Sequence, residues 1–205
     1  MVKKDKDQST EKNILNAARE IFQQKGLAGA RMQDIADRAG INKAMLHYYF
    51  RTKEKLFEVI FQEALEKFLP RLQIIFGEEG SLFEKIELFV GEYIDLLLDN
   101  PQIPMFVLNQ ISTDPETFFS NNFSGNRQIP FQMMMNVFEK EMEQGNIRVV
   151  HPKHLIVNIM SLSVFPFVAR PMLQRVMGVT DVQYRKFLTE RKQEVINFII
   201  HSLKA

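Results

Sequence analysis

The chain has 205 residues, of which 45% are hydrophobic and 25% are charged, and its formal net charge is +1. This composition is typical of a folded globular protein that is long enough to bury a substantial core. The absence of cysteine excludes disulfides and thiolate metal sites. The charged N-terminus lacks the apolar segment of a signal peptide, and no window approaches about 18 uninterrupted apolar residues. We therefore expect a cytoplasmic protein without a membrane span.

The charge is divided unevenly along the chain. Residues 1–55 contain 12 Lys/Arg and 7 Asp/Glu, a balance of +5, whereas the remaining 150 residues contain 14 and 18, a balance of −4. A basic N-terminal part followed by a weakly acidic remainder favours a protein that contacts DNA with one end. Chance clustering of charges is the alternative explanation.

The N-terminal part of the chain predicts a helix-turn-helix. A first helix runs through residues 14–22 and stops at Gly26. In the stretch 32–50, Gly40 ends a short apolar-faced helix, and Asn42 is a good N-cap for the next one. Two helices joined by a short turn that contains glycine are typical of this motif. A helical hairpin buried in an all-α core is the alternative interpretation.

The second helix of the motif has the composition of a DNA recognition helix. Its outward side chains are a cation, small or apolar groups and two rings with polar tips: Lys43, Ala44, Met45, His47 and Tyr48. This mixture suits the major groove of double-stranded DNA better than it suits water. The next helix opens at Thr52 with Lys53 in its first turn, where a cation opposes the helix dipole. A nearby phosphate would explain that lysine.

The sequence here resembles the TetR family of bacterial transcriptional regulators. The matching segments are residues 14–22, Gly26, residues 34–36, residues 39–41, Leu46, residues 49–50 and residues 53–56. The resemblance covers roughly residues 8–68. It implies a DNA-binding domain over residues 8–68, which includes the start of a linking helix, and a helical effector-binding and dimerisation domain over residues 69–205.

The resemblance and the outward positions together select the candidate DNA contacts. They are Arg31, Asn42, Lys43, Ala44, Met45, His47, Tyr48, Tyr49 and Lys53. The family usually begins its second helix with threonines, whereas this chain has Ala30, Arg31 and Met32, so we expect a weaker cap and a phosphate contact from Arg31. We expect Lys43 to reach base edges and Lys53 to contact phosphate.

The rest of the chain predicts further helices and no strands, so the fold class is all-α. After residue 52 a helix should kink or end at Pro70. Further helices are predicted over residues 82–98, 105–111, 131–144, 152–168 and 182–203, with another starting at Asp114 and Pro115. Pro166 and Pro171 should bend or end the helix that begins at Pro152.

An apolar effector pocket is expected in the predicted C-terminal domain, residues 69–205, which we call the body. Residues 100–170 contain eight Phe and six Met, a composition that adapts to an apolar guest but also fills ordinary irregular cores. Because the bodies of the family commonly enclose such a pocket, we take as candidate effector contacts Phe61, Phe89, Tyr93, Met105, Phe106, Phe131, Met134, Met135, Phe138 and Phe165.

A dimer interface is expected on the last two long helices, which carry more apolar surface than one side of a bundle needs. The candidate interface residues are Ile156, Ile159, Met160, Val195, Ile196, Ile199 and Leu203. They should form a four-helix contact between two copies of the chain.

No glycine-rich phosphate loop, GxSxG or HExxH occurs, so we predict no enzymatic activity, no cofactor and no metal. The predicted function is a sequence-specific DNA-binding regulator, a homodimeric repressor of operator DNA released by a small apolar or amphipathic effector. The alternatives are a DNA-binding protein controlled by a protein partner and a helical carrier of apolar ligands.

Overall fold

Helices form all the regular structure in the computed structural model, which describes the backbone of residues 2–204 and the side chains of residues 9–127 and 130–204. The helices are α1 (Val2–Gly29), α2 (Met32–Ala39), α3 (Lys43–Tyr49), α4 (Lys53–Gly77), α5 (Leu82–Asp99), α6 (Ile103–Thr113), α7 (Pro115–Asn122), a 3₁₀ helix (Gly125–Gln128), α8 (Ile129–Glu143), α9 (Pro152–Val168), α10 (Arg170–Met177) and α11 (Asp181–Leu203). The predicted all-α fold class is confirmed.

The chain divides into two compact units, Met1–Leu65 and Glu66–Ala205. The boundary lies within α4, one turn before the predicted boundary at residue 68. Pro70 does not end α4, which continues to Gly77. Among residues 2–204, no single helix is long and apolar enough to cross a membrane; α9 and α10 meet that criterion only as a pair bent by 73°.

The first unit is held together by the apolar face of α1. Ile14, Ala18 and Phe22 are buried, and the Phe22 ring meets Phe57 of α4 edge to face at 5.4 Å between centroids. Aromatic pairs in this orientation add stability beyond the area that they bury. The predicted end of the helix at Gly26 coincides with a residue at φ +68°, after which one more turn leads to Gly29.

The core of the second unit is built around α5. Its buried stripe follows helical spacing and consists of Leu82, Ile86, Phe89, Val90, Ile94 and Leu97. Ser81 and Glu84 form a capping box at its start, and the hydrogen bonds from Ser81 lower the pKa of Glu84. On one side α5 packs against α9 and α11.

Pro166 interrupts the hydrogen bonds of α9 without ending the helix. Because proline has no N–H, the carbonyl of Leu162 loses its helical donor, and the Arg191 Nε of α11 donates to it at 3.2 Å instead. The Tyr184 hydroxyl, also on α11, donates to the Pro166 carbonyl at 2.7 Å. Side chains of α11 thus satisfy the Leu162 carbonyl, which is left free by the proline, and the Pro166 carbonyl in the last turn of α9.

We expect Tyr184→Phe to lower the free energy of unfolding by about 1–3 kcal/mol, because it leaves the buried Pro166 carbonyl without this donor. Tyr184 itself is 0% exposed. The measurement is urea unfolding followed by circular dichroism. Tyr48→Phe, which changes an exposed tyrosine, is the control and should leave the stability unchanged. Equal stability of both variants would contradict the role of this hydrogen bond.

Candidate DNA-binding and regulatory sites

The turn between α2 and α3 is set by Gly40. This residue has φ +67° and ψ +30°, a left-handed conformation that glycine adopts without steric cost. Its N–H donates to the Asp37 carbonyl at 3.2 Å, and the Ile41 N–H donates to the Ala36 carbonyl at 3.0 Å. This pair of bonds is the Schellman arrangement, which ends a helix sharply. The predicted helix-turn-helix is therefore present.

The start of α3 is fixed by Asn42, as predicted. Its side-chain oxygen accepts a hydrogen bond from the Met45 N–H at 2.7 Å. Leu46 points inwards and is completely buried. The Asn42 side-chain oxygen thus caps α3, so we expect this residue to contribute to DNA binding mainly by fixing the start of that helix.

Five predicted contacts share one exposed face of α3. They are Lys43, Ala44, Met45, His47 and Tyr48. Tyr48 is 83% exposed, which is unusual for so large an aromatic ring without a partner surface. Its ring meets that of Tyr49 edge to face at 5.4 Å, and Tyr49 is half-buried. The helix therefore presents a cation, an imidazole and a phenol from one rigid element.

The ring of His47 is oriented by the chain that follows α3. Its Nδ1 lies 3.0 Å from the carbonyl oxygen of Arg51. The Arg51 side chain is itself exposed, beside the start of α4. Sequence reasoning missed Arg51, although a cation immediately after a recognition helix was the available signal. We add it to the candidate phosphate contacts.

Lys53 has partners that the sequence did not reveal. Its Nζ donates to the carbonyls of Ala28 at 2.9 Å and Ala30 at 3.1 Å, so it joins the start of α4 to the end of α1. The lysine offsets partial negative charge on those carbonyls, which explains a cation in the first turn of α4 without a phosphate. A phosphate contact by Lys53 remains a prediction.

Arg31 occupies the N-cap position of α2 in an extended conformation and makes no side-chain cap hydrogen bond. Its side chain is exposed. Asp34 in the first turn instead forms an ion pair with Lys25 at 2.8 Å, and the hydrogen bond from Lys25 lowers the pKa of Asp34. The guanidinium of Arg31 thus stands at the N-terminus of α2, where we predicted a phosphate contact.

The predicted dimer residues need correction. Ile159, Val195, Ile196, Ile199 and Leu203 are buried in the protomer's own core rather than exposed on its surface. Ile156 is half-buried and Met160 is 39% exposed, so they alone of the set can face outwards. The exposed large apolar side chains of α9 and α11 are instead Val157, Met160, Phe165, Val182 and Phe198. The residues predicted for the interface are therefore mostly inward-facing core residues.

The predicted effector residues also separate into two groups. Met105 and Phe165 are exposed and therefore do not line an interior pocket. Phe61 is buried in the first unit, and the remaining candidates are buried or half-buried in the second: Phe89, Tyr93, Phe106, Phe131, Met134, Met135 and Phe138. Within the second unit, α4, α5 and α8 bring together a continuous row of rings. Its members are Phe68, Tyr93, Phe89, Phe76 and Phe138.

Comparison with known proteins agrees with this architecture. Residues 14–60 match the family described as bacterial regulatory proteins, tetR family. The HTH-type transcriptional regulator RutR of Escherichia coli K12 is 25% identical over 194 residues, which cover 94% of this chain and 90% of RutR.

Two solved structures share the fold along nearly the whole chain. A linker-substituted mutant of HlyIIR has a TM-score of 0.66 at 22% identity and covers 97% of both chains. FadR of Bacillus subtilis in complex with stearoyl-CoA has a TM-score of 0.59 at 15% identity and covers 93% of this chain and 97% of FadR.

The N-terminal match, the full-length relative and the observed helix-turn-helix agree. Residues 14–60 match the tetR family of bacterial regulatory proteins, and the whole chain is similar to the helix-turn-helix transcriptional regulator RutR.

Proposed function

We propose that the protein is a homodimeric repressor that binds a palindromic operator and leaves it when a small apolar or amphipathic effector occupies the body. The observation that carries this proposal is the exposed face of α3. This face carries Lys43, His47 and Tyr48. Asn42 caps the start of the helix, and Gly40 forms the turn that sets its direction after α2. Such a face can enter a major groove, and it has no other evident partner within residues 9–127.

The outward faces of α9 and α11 support the dimer. Phe198 is 63% exposed and Met160 is 39% exposed on neighbouring helices. An open groove of about 710 Å³ runs beside them and is lined by Leu162, Arg191, Glu194, Val195, Asn197, Phe198, His201 and Ser202. A two-fold contact would cover this apolar surface with its own copy. Two recognition helices would then read two half-sites, because one alone makes too few base contacts for tight binding.

The aromatic interior supports the effector. FadR, which shares the fold, was solved with stearoyl-CoA, so a body of this architecture can accommodate an acyl ligand. The row of rings from α4, α5 and α8 offers an apolar surface of the kind that lines small-molecule sites. If effector and operator prefer different states of the protein, each weakens binding of the other by the same factor.

Selection of genomic DNA fragments by the purified protein, followed by sequencing, tests the proposal as a whole. We expect the enriched fragments to share an inverted repeat whose half-sites lie about 34–36 Å apart, or a multiple of that spacing. Enrichment without a shared motif, or no enrichment, would overturn sequence-specific regulation.

If Lys43 contacts a base edge as proposed, Lys43→Ala should weaken binding to the selected operator by about tenfold or more and relax the preference at one base position. Fluorescence anisotropy with a labelled operator and single-base variants measures both effects. The control is Lys186→Ala, which removes an exposed lysine from α11 in the second unit. A uniform loss across all operator variants would show that Lys43 contacts only phosphate.

Lys53→Ala separates a structural role from a phosphate contact. Loss of the bonds to Ala28 and Ala30 should lower the melting temperature in either case. A phosphate contact predicts in addition that the slope of log K against log salt concentration falls by about one per protomer. An unchanged salt slope in a folded variant would assign Lys53 to the junction of α1 and α4 alone.

Phe198→Glu should produce monomers with at least tenfold weaker operator binding, because it places a charge on the proposed contact without disturbing the protomer's core. Sedimentation velocity measures the assembly state. Leu88→Glu, at an exposed leucine on α5, is the control and should remain dimeric. By contrast, Ile199→Glu should unfold the protomer, since Ile199 is 1% exposed. A dimeric Phe198→Glu variant would place the interface elsewhere.

A further inference from the structure

The imidazole of His47 is held in a defined orientation on the exposed face of α3. The side chain is exposed and follows Lys43 by four positions, so the two side chains lie one helical turn apart on the same face. The Nδ1 atom lies 3.0 Å from the carbonyl oxygen of Arg51. Within residues 9–127 and 130–204 this ring makes no other hydrogen bond. One ring nitrogen is therefore bound to the protein, and Nε2 remains for a partner outside it.

The hydrogen bond to Arg51 decides which ring nitrogen carries the proton. A carbonyl oxygen can only accept a hydrogen bond, so Nδ1 must donate one. An uncharged imidazole has a single N–H group, and its second nitrogen is an acceptor. The uncharged ring of His47 is therefore the Nδ1–H tautomer, and the lone pair of its Nε2 points away from the Arg51 carbonyl.

The carbonyl that fixes this tautomer belongs to a short and well-anchored connection between α3 and α4. Phe50 is buried, and its N–H donates to the Leu46 carbonyl at 2.8 Å. On the other side, the Thr52 hydroxyl oxygen accepts from the Lys55 N–H at 3.2 Å and caps the start of α4. Arg51 lies between these two anchored residues, so the position of its carbonyl follows from the junction of the two helices.

An uncharged imidazole with Nε2 as an acceptor discriminates among the groups that DNA offers. Phosphate oxygens are acceptors themselves, so the Nε2 lone pair gains no hydrogen bond from the DNA backbone. In the major groove the donors are the amino groups at N6 of adenine and N4 of cytosine, whereas guanine N7, guanine O6 and thymine O4 are acceptors. The Lys43 ammonium, one turn away, only donates and suits the opposite class of groups. The tautomer of His47 therefore favours the amino group of a base.

We propose that His47 is a specificity-determining residue: its Nε2 accepts a hydrogen bond from N6 of adenine or N4 of cytosine in the operator, because the Arg51 carbonyl holds the proton on Nδ1. This inference rests on the proposed function, since it names the class of base that the exposed face of α3 contacts. A guanine or thymine at the same place would set one acceptor against another.

The first test measures the tautomer without DNA. Nitrogen-15 chemical shifts of the imidazole, recorded at about pH 8 where a histidine is ordinarily uncharged, distinguish a protonated ring nitrogen from an unprotonated one. We expect Nδ1 of His47 to be protonated and Nε2 to be unprotonated. The spectrum of His47→Gln assigns the signals among the four histidines. His201, whose Nδ1 lies 2.7 Å from the Asn197 carbonyl, should show the same tautomer and is the internal reference.

The second test measures whether His47 and a base amino group depend on each other. His47→Ala identifies the base pair, which is the one whose preference is lost when the selected operator is varied pair by pair. At that pair the amino group is then deleted, with purine in place of adenine or pyrimidin-2-one in place of cytosine. We expect this deletion to weaken wild-type binding about three- to tenfold more than it weakens binding of His47→Ala, the value of one neutral hydrogen bond.

Two controls isolate this contact from other effects of the altered DNA. Replacing N7 of the purine in the same pair by carbon removes an acceptor, and it should weaken binding of wild type and His47→Ala equally. His151→Ala removes an exposed histidine at the start of α9, in the second unit, and should respond to amino deletion as wild type does. The weaker pairing of the altered bases is common to all three proteins and cancels in the comparison.

The outcomes distinguish this inference from the function on which it rests. Equal effects of amino deletion on wild type and His47→Ala overturn the inference, while specific operator binding leaves the regulator in place. A dependence on N7 instead of the amino group, or an Nε2–H tautomer in the nitrogen-15 spectrum, shows Nε2 as a donor and overturns the inference as well. So does an operator at which no base preference depends on His47. Absence of any sequence-specific binding overturns the proposed function together with the inference.

Discussion

The left-handed turn at Gly40 is the constraint on which the DNA-binding unit depends. A side chain at φ +67° would be strained, although open space surrounds the position where its Cβ would lie. The turn ends α2 and leads into α3, and Ala36, whose carbonyl accepts the Ile41 N–H, is completely buried. The direction of α3 follows from this turn and from the Asn42 cap. The backbone geometry of the turn and the cap therefore sets the orientation of the exposed face that carries Lys43.

The helices α9 and α11 contribute both to the protomer's core and to the proposed dimer contact. On their inner side α9 and α11 are joined by side-chain donors that satisfy carbonyls around Pro166, and on their outer side they expose apolar rings. Phe198 and Ile199 are neighbours in α11, yet one is exposed and the other buried, because successive residues of a helix point about 100° apart. The stability of the protomer and the proposed dimer contact thus reside on opposite faces of the same elements.

Short-range physics made much of this structure predictable from the sequence. The Gly40 turn, the Asn42 cap, the Asp114 cap and the helix Pro152–Val168 occur where capping and turn preferences place them. α3 exposes Lys43, His47 and Tyr48 as predicted, because Leu46 marks the buried side of this helix. α10 was not predicted, and its apolar residues Met172, Val176 and Met177 are exposed rather than buried.

The sequence by itself determined the helices, their caps and the recognition helix, because those depend on residues a few positions apart. Only the tertiary structure decided which residues that are far apart in the sequence become hydrogen-bond or packing partners. Lys53 meets carbonyls 23 and 25 residues away, and Ile199 turns inwards while its neighbour Phe198 is exposed. These contacts cannot be read from the sequence, because hydrogen-bond satisfaction and packing are properties of neighbours in space.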